Sequence, residues 1–192
     1  MASVIVVLAS CSPAEESVDT ASPTTSAATT TTTTAPTTTT TELAEFSVSS
    51  PAFAEGGAVP PEFTCDGADI SPELNIVGLP EATRVVTVIL EDPDALLGIW
   101  YHWVDFDIPA GTGSFDIERG TDEIGSPGVN SWNLEGYMGP CPPEGEEHRY
   151  VFRIYALSSM LGLPAGVDVD ELAAAMEGHI VDTVELTGVY SR

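Results

Sequence analysis

At 192 residues the chain has room for one folded domain plus appendages. Its acidic excess is extreme: 30 Asp+Glu against 5 Lys+Arg, all five of them arginines, for a formal net charge of −25. That balance repels phosphate backbones and anionic bilayer surfaces, so it excludes nucleic acid as a partner, and any anion site must be built locally from histidines, backbone amides or an arginine.

Residues 4–10 form an apolar run that ends at Cys11. The run is too short to span a membrane and fits the apolar section of a secretory signal. Leu8-Ala9-Ser10-Cys11 resembles the lipobox of bacterial lipoproteins, in which an aliphatic residue and two small ones precede the cysteine that receives diacylglycerol. No lysine or arginine precedes the run, so the signal is expected to start upstream of Met1. The competing reading is a hydrophobic N-terminal strand with a chance cysteine. The composition of the next thirty residues weighs against it. Residues 12–41 are threonine, alanine, proline and serine with a few early acids and no aromatic residue. Such a composition buries too little apolar area to offset its ordering entropy, so a disordered tether is expected, with an r.m.s. span of roughly 30 Å. The organisation read from sequence is therefore a truncated lipoprotein signal over 1–10, a Thr/Pro-rich tether over 11–41 and a folded domain over 42–192. A lipidated Cys11 would anchor the exported domain to the outer face of a bacterial cytoplasmic membrane.

Within the domain, residues 84–91 are β-branched and continuous and predict a buried strand. Residues 102–108 alternate Trp103, Asp105 and Asp107 with His102, Val104, Phe106 and Ile108, predicting a half-buried strand. Further strands are predicted over 150–157 and 183–190. Gly/Pro-rich loops separate them, notably 111–113, 125–128 and 136–145. Many strands joined by such loops predict an all-β sandwich or barrel. One helix is predicted from Asp168 to about Ile180. Asp168 and Glu171 make a capping-box-like start, and Leu172, Ala175, Met176 and Ile180 form one apolar face.

Two stretches concentrate unusual chemistry. Asp92-Pro93-Asp94-Ala95 follows the first buried strand, and His102 opens the next; the loop over 136–145 leads into His148-Arg149-Tyr150. Strand–loop junctions are where sites collect. Two histidines offer N–H donors to an anion, and a neighbouring carboxylate would orient them and raise their pKa, favouring the cation. Each signal has a plainer reading: a hydrogen-bonded strand-end histidine, an Asp-Pro turn, a rigid Pro-Pro loop. Arg149 alternates with His148 and Tyr150, so it faces away from them, and an ion pair with a carboxylate such as Asp94 is expected. His179, at the predicted helix end, is read as structural, and Trp100, Trp103 and Trp132 as core or rim packing.

Taken in order, these residues resemble the phosphatidylethanolamine-binding proteins, and more closely their bacterial Raf-kinase-inhibitor-like branch. The resemblance rests on Asp92-Pro93-Asp94-Ala95, His102-Trp103, Gly128 with Asn130, Gly139-Pro140-Cys141-Pro142-Pro143-Glu144-Gly145 and His148-Arg149-Tyr150. Phe63-Thr64-Cys65-Asp66-Gly67 and the closing Gly188-Val189-Tyr190-Ser191-Arg192 extend it over roughly 46–192. It implies a two-sheet antiparallel β-sandwich with one C-terminal helix. At one end of the sandwich lies a pocket for phosphate or similar anions, including phospholipid head groups. Carried over, Asp92, His102 and His148 would line that pocket, and Cys141, Pro142 and Tyr150 would wall it. Leu96 departs from the family, which usually has proline there, so the pocket rim is expected to differ. With Cys11 committed to lipid, Cys65 and Cys141 form an even pair that either cross-links near the pocket or remains as two buried thiols.

Three functional classes fit this reading. The first is a binding module for a small anion or lipid head group, with no cofactor or metal. The second is an inhibitor or regulator of a kinase or protease. The third, ranked last, is a hydrolytic enzyme, because no nucleophile–base arrangement is evident unless Cys141 serves.

Overall fold

The computed structural model describes residues 44–111, 113–121 and 124–192; the lipobox-like segment, Cys11 and the threonine-rich tether lie outside them. The described chain forms strands β1 (Ser47–Ser49), β2 (Gly57–Ala58), β3 (Leu74–Val77), β4 (Val85–Asp92), β5 (Trp100–Pro109), β6 (Ser114–Ile117), β7 (Ser126–Pro127), β8 (Glu147–Leu157) and β9 (Ile180–Ser191), with helix α1 (Val169–Met176) before the last strand. They build a three-stranded sheet, ordered β1-β3-β6, and a six-stranded sheet, ordered β2-β9-β8-β4-β5-β7. Pairing is antiparallel except at one edge, where β2 runs parallel to β9 and departs from the all-antiparallel expectation.

Both faces of the large sheet are covered. On one, Val86, Val88, Leu90, Trp103 and Phe152 meet Leu74, Ile76 and Ile117 of the small sheet. On the other, Val85, Ile89, Val104 and Phe106 pack with Leu172 and Met176 of α1. A strand buried on both faces needs apolar residues at successive positions, which is why β4 reads as a continuous run.

Strand β5 is likewise buried through its middle, from His102 to Ile108, and the half-buried expectation fails there. Its acidic residues do not face water. The Asp105 carboxylate accepts from the amides of Ile124 and Gly125 at 2.7 and 3.0 Å, and that of Asp107 from Leu161 and Gly162, both at 2.8 Å. Each carboxylate replaces its lost hydration with loop amides, so period-two polarity here encodes loop anchoring. The helix begins as expected, with Asp168 Oδ1 accepting from Glu171 N at 2.8 Å. It stops a turn earlier than expected, at Met176. Gly178 follows at φ +79°, a left-handed conformation that ends the helix, and Ile180 opens β9 instead of closing the apolar face.

Candidate functional site

The C-terminal end of β4, the start of β5 and the start of β8 converge at one end of the large sheet. Asp92 closes β4, His102 lies just inside β5, and His148 just inside β8. Register explains the meeting: β4 pairs with both β5 and β8, so its end brings residues from both neighbours together. They face a cavity of about 180 Å³, lined also by Leu96, Trp100, Trp132, Cys141 and Pro143.

The polar centre is a buried pair. His148 Nδ1 lies 2.8 Å from Asp92 Oδ2, and both side chains are almost wholly withdrawn from solvent. On the other side of the ring, Nε2 lies 3.2 Å from the Glu146 carboxylate, which is largely exposed. Burial alone would lower the His148 pKa, but the hydrogen bonds to Asp92 and Glu146 outweigh it and the net shift is upward. The shift favours the imidazolium, the form in which both ring nitrogens donate. The second oxygen of Asp92 accepts from Asp94 N at 2.9 Å, closing a short turn at the strand end.

His102 is different. Its Nδ1 lies 2.8 Å from Met138 O and 3.0 Å from Gly139 O; carbonyl acceptors require Nδ1–H. Burial is the dominant influence and pushes its pKa down, against support from those carbonyls and Asp92. The ring is therefore neutral at pH 7, and Nε2 carries a lone pair. The two rings therefore differ, against the expectation of two cations: the His148 surroundings favour the cation, and the loop holds His102 with its proton on Nδ1 and a lone pair on Nε2.

That loop is pinned along its length. The Tyr137 hydroxyl donates to Phe63 O at 2.7 Å, Cys65 N donates to Pro140 O at 3.2 Å, and Asp69 accepts from Gly139 N at 2.7 Å. A side chain at position 139 would place Cβ 2.2 Å from Phe63 O, so only glycine allows this approach. Cys65 and Cys141 are joined by a disulfide, with Cα atoms 5.5 Å apart. Tyr150 stands behind the cavity: its hydroxyl accepts from Cys141 N at 3.2 Å, and its ring packs edge-on to His102, centroids 5.3 Å apart. Burial raises its pKa, so the hydroxyl stays protonated. Pro142 is buried, and the proline facing the cavity is its neighbour Pro143. Arg149 forks onto Asp94, Nε and Nη2 donating at 2.9 and 2.6 Å, away from the cavity as expected. That pairing, chiefly the hydrogen bond itself, holds the Asp94 carboxyl at about 2.

Among the described residues, no cluster of His, Cys, Asp and Glu is arranged to hold a metal ion. The family model described as phosphatidylethanolamine-binding protein matches residues 49–191. The chain belongs to the phosphatidylethanolamine-binding protein family. A UPF0098 protein of Methanothermobacter thermautotrophicus is 40% identical, over 73% of this chain and 95% of the relative. One from Archaeoglobus fulgidus is 41% identical over 79% of this chain, which spans only 53% of that longer protein. Among solved structures, the putative phosphatidylethanolamine-binding protein homolog CT736 of Chlamydia trachomatis superposes with a TM-score of 0.72 at 33% identity, covering 77% of this chain and 98% of the other. YbcL of E. coli, described as a new member of the mammalian PEBP family, superposes with a TM-score of 0.71 at 27% identity, covering 78% of this chain and 99% of the other.

Within this family member, four site features are not legible in the sequence alone. Pro143 lies inside the loop motif that ends at Gly145 and Glu146 just beyond it, but nothing local distinguishes either from its neighbours. Asp69 acts on Gly139 across a separation of 70 residues, which no local pattern reports. Asn130 holds the Trp132 loop, its Oδ1 accepting from Trp132 N and Leu134 N at 3.0 and 3.2 Å. Its place beside Gly128 in the motif is the available signal.

Proposed function

We propose that this family member is an extracytoplasmic, lipid-anchored binding protein that takes a small anion, phosphate or a phospholipid head group, into the cavity between His102 and His148. The observation that carries the reading is the buried Asp92–His148 pair, which fixes one imidazolium at the cavity wall with Nε2 able to donate. A neutral His102 complements it by accepting from a ligand hydroxyl or ammonium. Asp92 and Glu146 beside the donor favour a ligand that carries its own positive charge, such as phosphoethanolamine. Binding is favoured over turnover because Cys141, the candidate nucleophile, is held in a disulfide. That disulfide also supports an exported location, since such bonds persist in oxidising compartments. The Leu8-Ala9-Ser10-Cys11 motif supports the anchor.

Titration calorimetry of the full chain with inorganic phosphate and with phosphoethanolamine tests the site. His148→Ala removes a charge-assisted hydrogen bond of about 1.5–3 kcal/mol, so affinity should fall at least about tenfold. Unchanged affinity in that variant would sink the assignment. Metabolic labelling with a tagged fatty acid tests the anchor, and label that persists after Cys11→Ser would refute it.

A further inference from the structure

The mouth of the cavity carries an apolar collar. Leu96 and Leu97 are 96% and 89% exposed, and Ile99, Trp132 and Leu134 are about half exposed. These side chains belong to the two segments that supply Leu96, Trp100 and Trp132 to the cavity, and exposed apolar residues grouped in this way mark a contact surface. At such exposure the two leucines stand out from the protein as a tip, with Leu96 at the edge of the cavity and Leu97 beyond it. Their turn is closed by Gly98 N donating to Ala95 O at 3.2 Å. Its base is fixed by the Asp92–Asp94 turn and the Asp94–Arg149 fork. Trp100 and Trp132, which line the cavity, pack edge to face with centroids 5.3 Å apart, and such amphipathic rings favour a boundary that is apolar on one side and wet on the other.

We infer that this collar seats the domain on the surface of an electrically neutral, zwitterionic bilayer, the leucine turn entering the head-group boundary. Charge selects the occupant. Residues 95–101 and 131–134 carry no charged side chain, although the chain as a whole is at −25. All five arginines are committed elsewhere: Arg84 to backbone carbonyls, and Arg119, Arg149, Arg153 and Arg192 to carboxylates. None is left to attract anionic lipid, and the acidic excess repels it. A second copy of the chain brings the same excess, so association through the collar would set two strongly negative domains face to face. A protruding apolar tip suits a deformable surface that closes around it. This contact stands apart from what the cavity holds, although it would bring the cavity mouth to head-group level.

The test uses the full chain with Cys11→Ser, so that no acyl group is attached, and phosphatidylcholine vesicles brominated on their acyl chains. Tryptophan quenching reads the collar itself, through Trp100 and Trp132, whatever the N-terminal segment does. Quenching is expected, with partitioning reduced about tenfold by Leu97→Asp/Ile99→Asp. It should also weaken when phosphatidylglycerol replaces part of the phosphatidylcholine at low salt. Equal quenching in the double variant, no quenching at all, or stronger quenching on phosphatidylglycerol would each overturn the inference. So would a dimer, seen by sedimentation, that the double variant dissociates. Phosphate calorimetry separates this proposal from the cavity reading. Leu97 and Ile99 do not line the cavity, so their variant keeps its anion affinity, whereas His148→Ala loses it and still reaches the vesicle.

Discussion

On the proposed reading Glu146 occupies the position on His148 that an incoming anion would need, and Glu146→Gln separates its two effects. His148 Nε2 donates to the Glu146 carboxylate across 3.2 Å. A bound anion must displace that carboxylate. The pair is partly exposed, with Glu146 at 59%, so its worth belongs in the screened range of about 0.2–1 kcal/mol. Removing the competitor should then tighten anion binding by up to about fivefold below the His148 pKa. The opposing effect is on that pKa. Glu146 is one of two carboxylates that raise it, so the variant's His148 should titrate lower than wild type, held up by Asp92 alone. Neutral His148 keeps its proton on Nδ1 for Asp92, and Nε2 ceases to donate, so anion binding disappears as pH rises through the His148 pKa. The variant should therefore bind more tightly than wild type at pH 6 and lose binding earlier as pH rises. Sulfate is the suitable probe because its charge does not change over this range. Calorimetry at pH 6 and pH 8, with NMR titration of the His148 ring, measures both effects. If the ring titrates unchanged, or the variant weakens sulfate at pH 6 as much as His148→Ala does, Glu146 is neither competitor nor support.

Three further outcomes are expected. Reducing the Cys65–Cys141 bond, which closes a separation of 76 residues, should cost about 4 kcal/mol in the chain-entropy view and lower the melting temperature by about 10 °C; two titratable thiols in the denatured, unreduced Cys11→Ser protein would contradict the bond. Asp94, held at about 2 by Arg149, contributes stability that is present above its ordinary value near 3.8 and lost as pH falls toward 2. Asp94→Asn should flatten that part of the acid unfolding curve, and an unchanged curve would show the fork contributes nothing. Deleting residues 1–41 should leave a cooperative melt within a few degrees of the full chain, because the threonine-rich segment has little apolar area to bury; a larger drop would show that it docks.

Legibility in the sequence divides by the range of the interaction. Strand β4, the Asp168 cap and the Arg149–Asp94 pairing follow from local pattern and alternation, and the structure has all three. Periodicity misplaces the helix end because Ile180 keeps helical spacing with Met176, while the glycine between them, left-handed in the fold, reads in sequence only as a cost to helicity. Asp105 and Asp107 read as water-facing because alternation reports polarity and not the partner; their partners are amides from loops distant in sequence. At the site, motif order brings Asp92, His102 and His148 together. The protonation difference between the histidines is not legible, since it depends on which carbonyls and carboxylates the fold sets against each ring.

That difference is how so acidic a chain could present a donor to the proposed anion. Two of the carboxylates that make the domain negative, Asp92 and Glu146, also favour the proton on His148. The same carboxylates limit what the cation can hold. Counting formal charges around the cavity, Asp92 and Glu146 contribute two negatives and His148 one positive, while Asp94 and Arg149 cancel and His102 is neutral. The cavity is therefore net negative before any ligand arrives. A bare dianion adds to an existing excess inside a partly desolvated space, where charge repulsion is strong. A head group with an ammonium beside its phosphate returns one positive charge to Asp92 or Glu146 and leaves the imidazolium for the phosphate oxygens. The affinity ratio of phosphoethanolamine to inorganic phosphate thus reads the local balance directly, and it should shrink in Glu146→Gln, where one of the two carboxylates that reward the ammonium is gone.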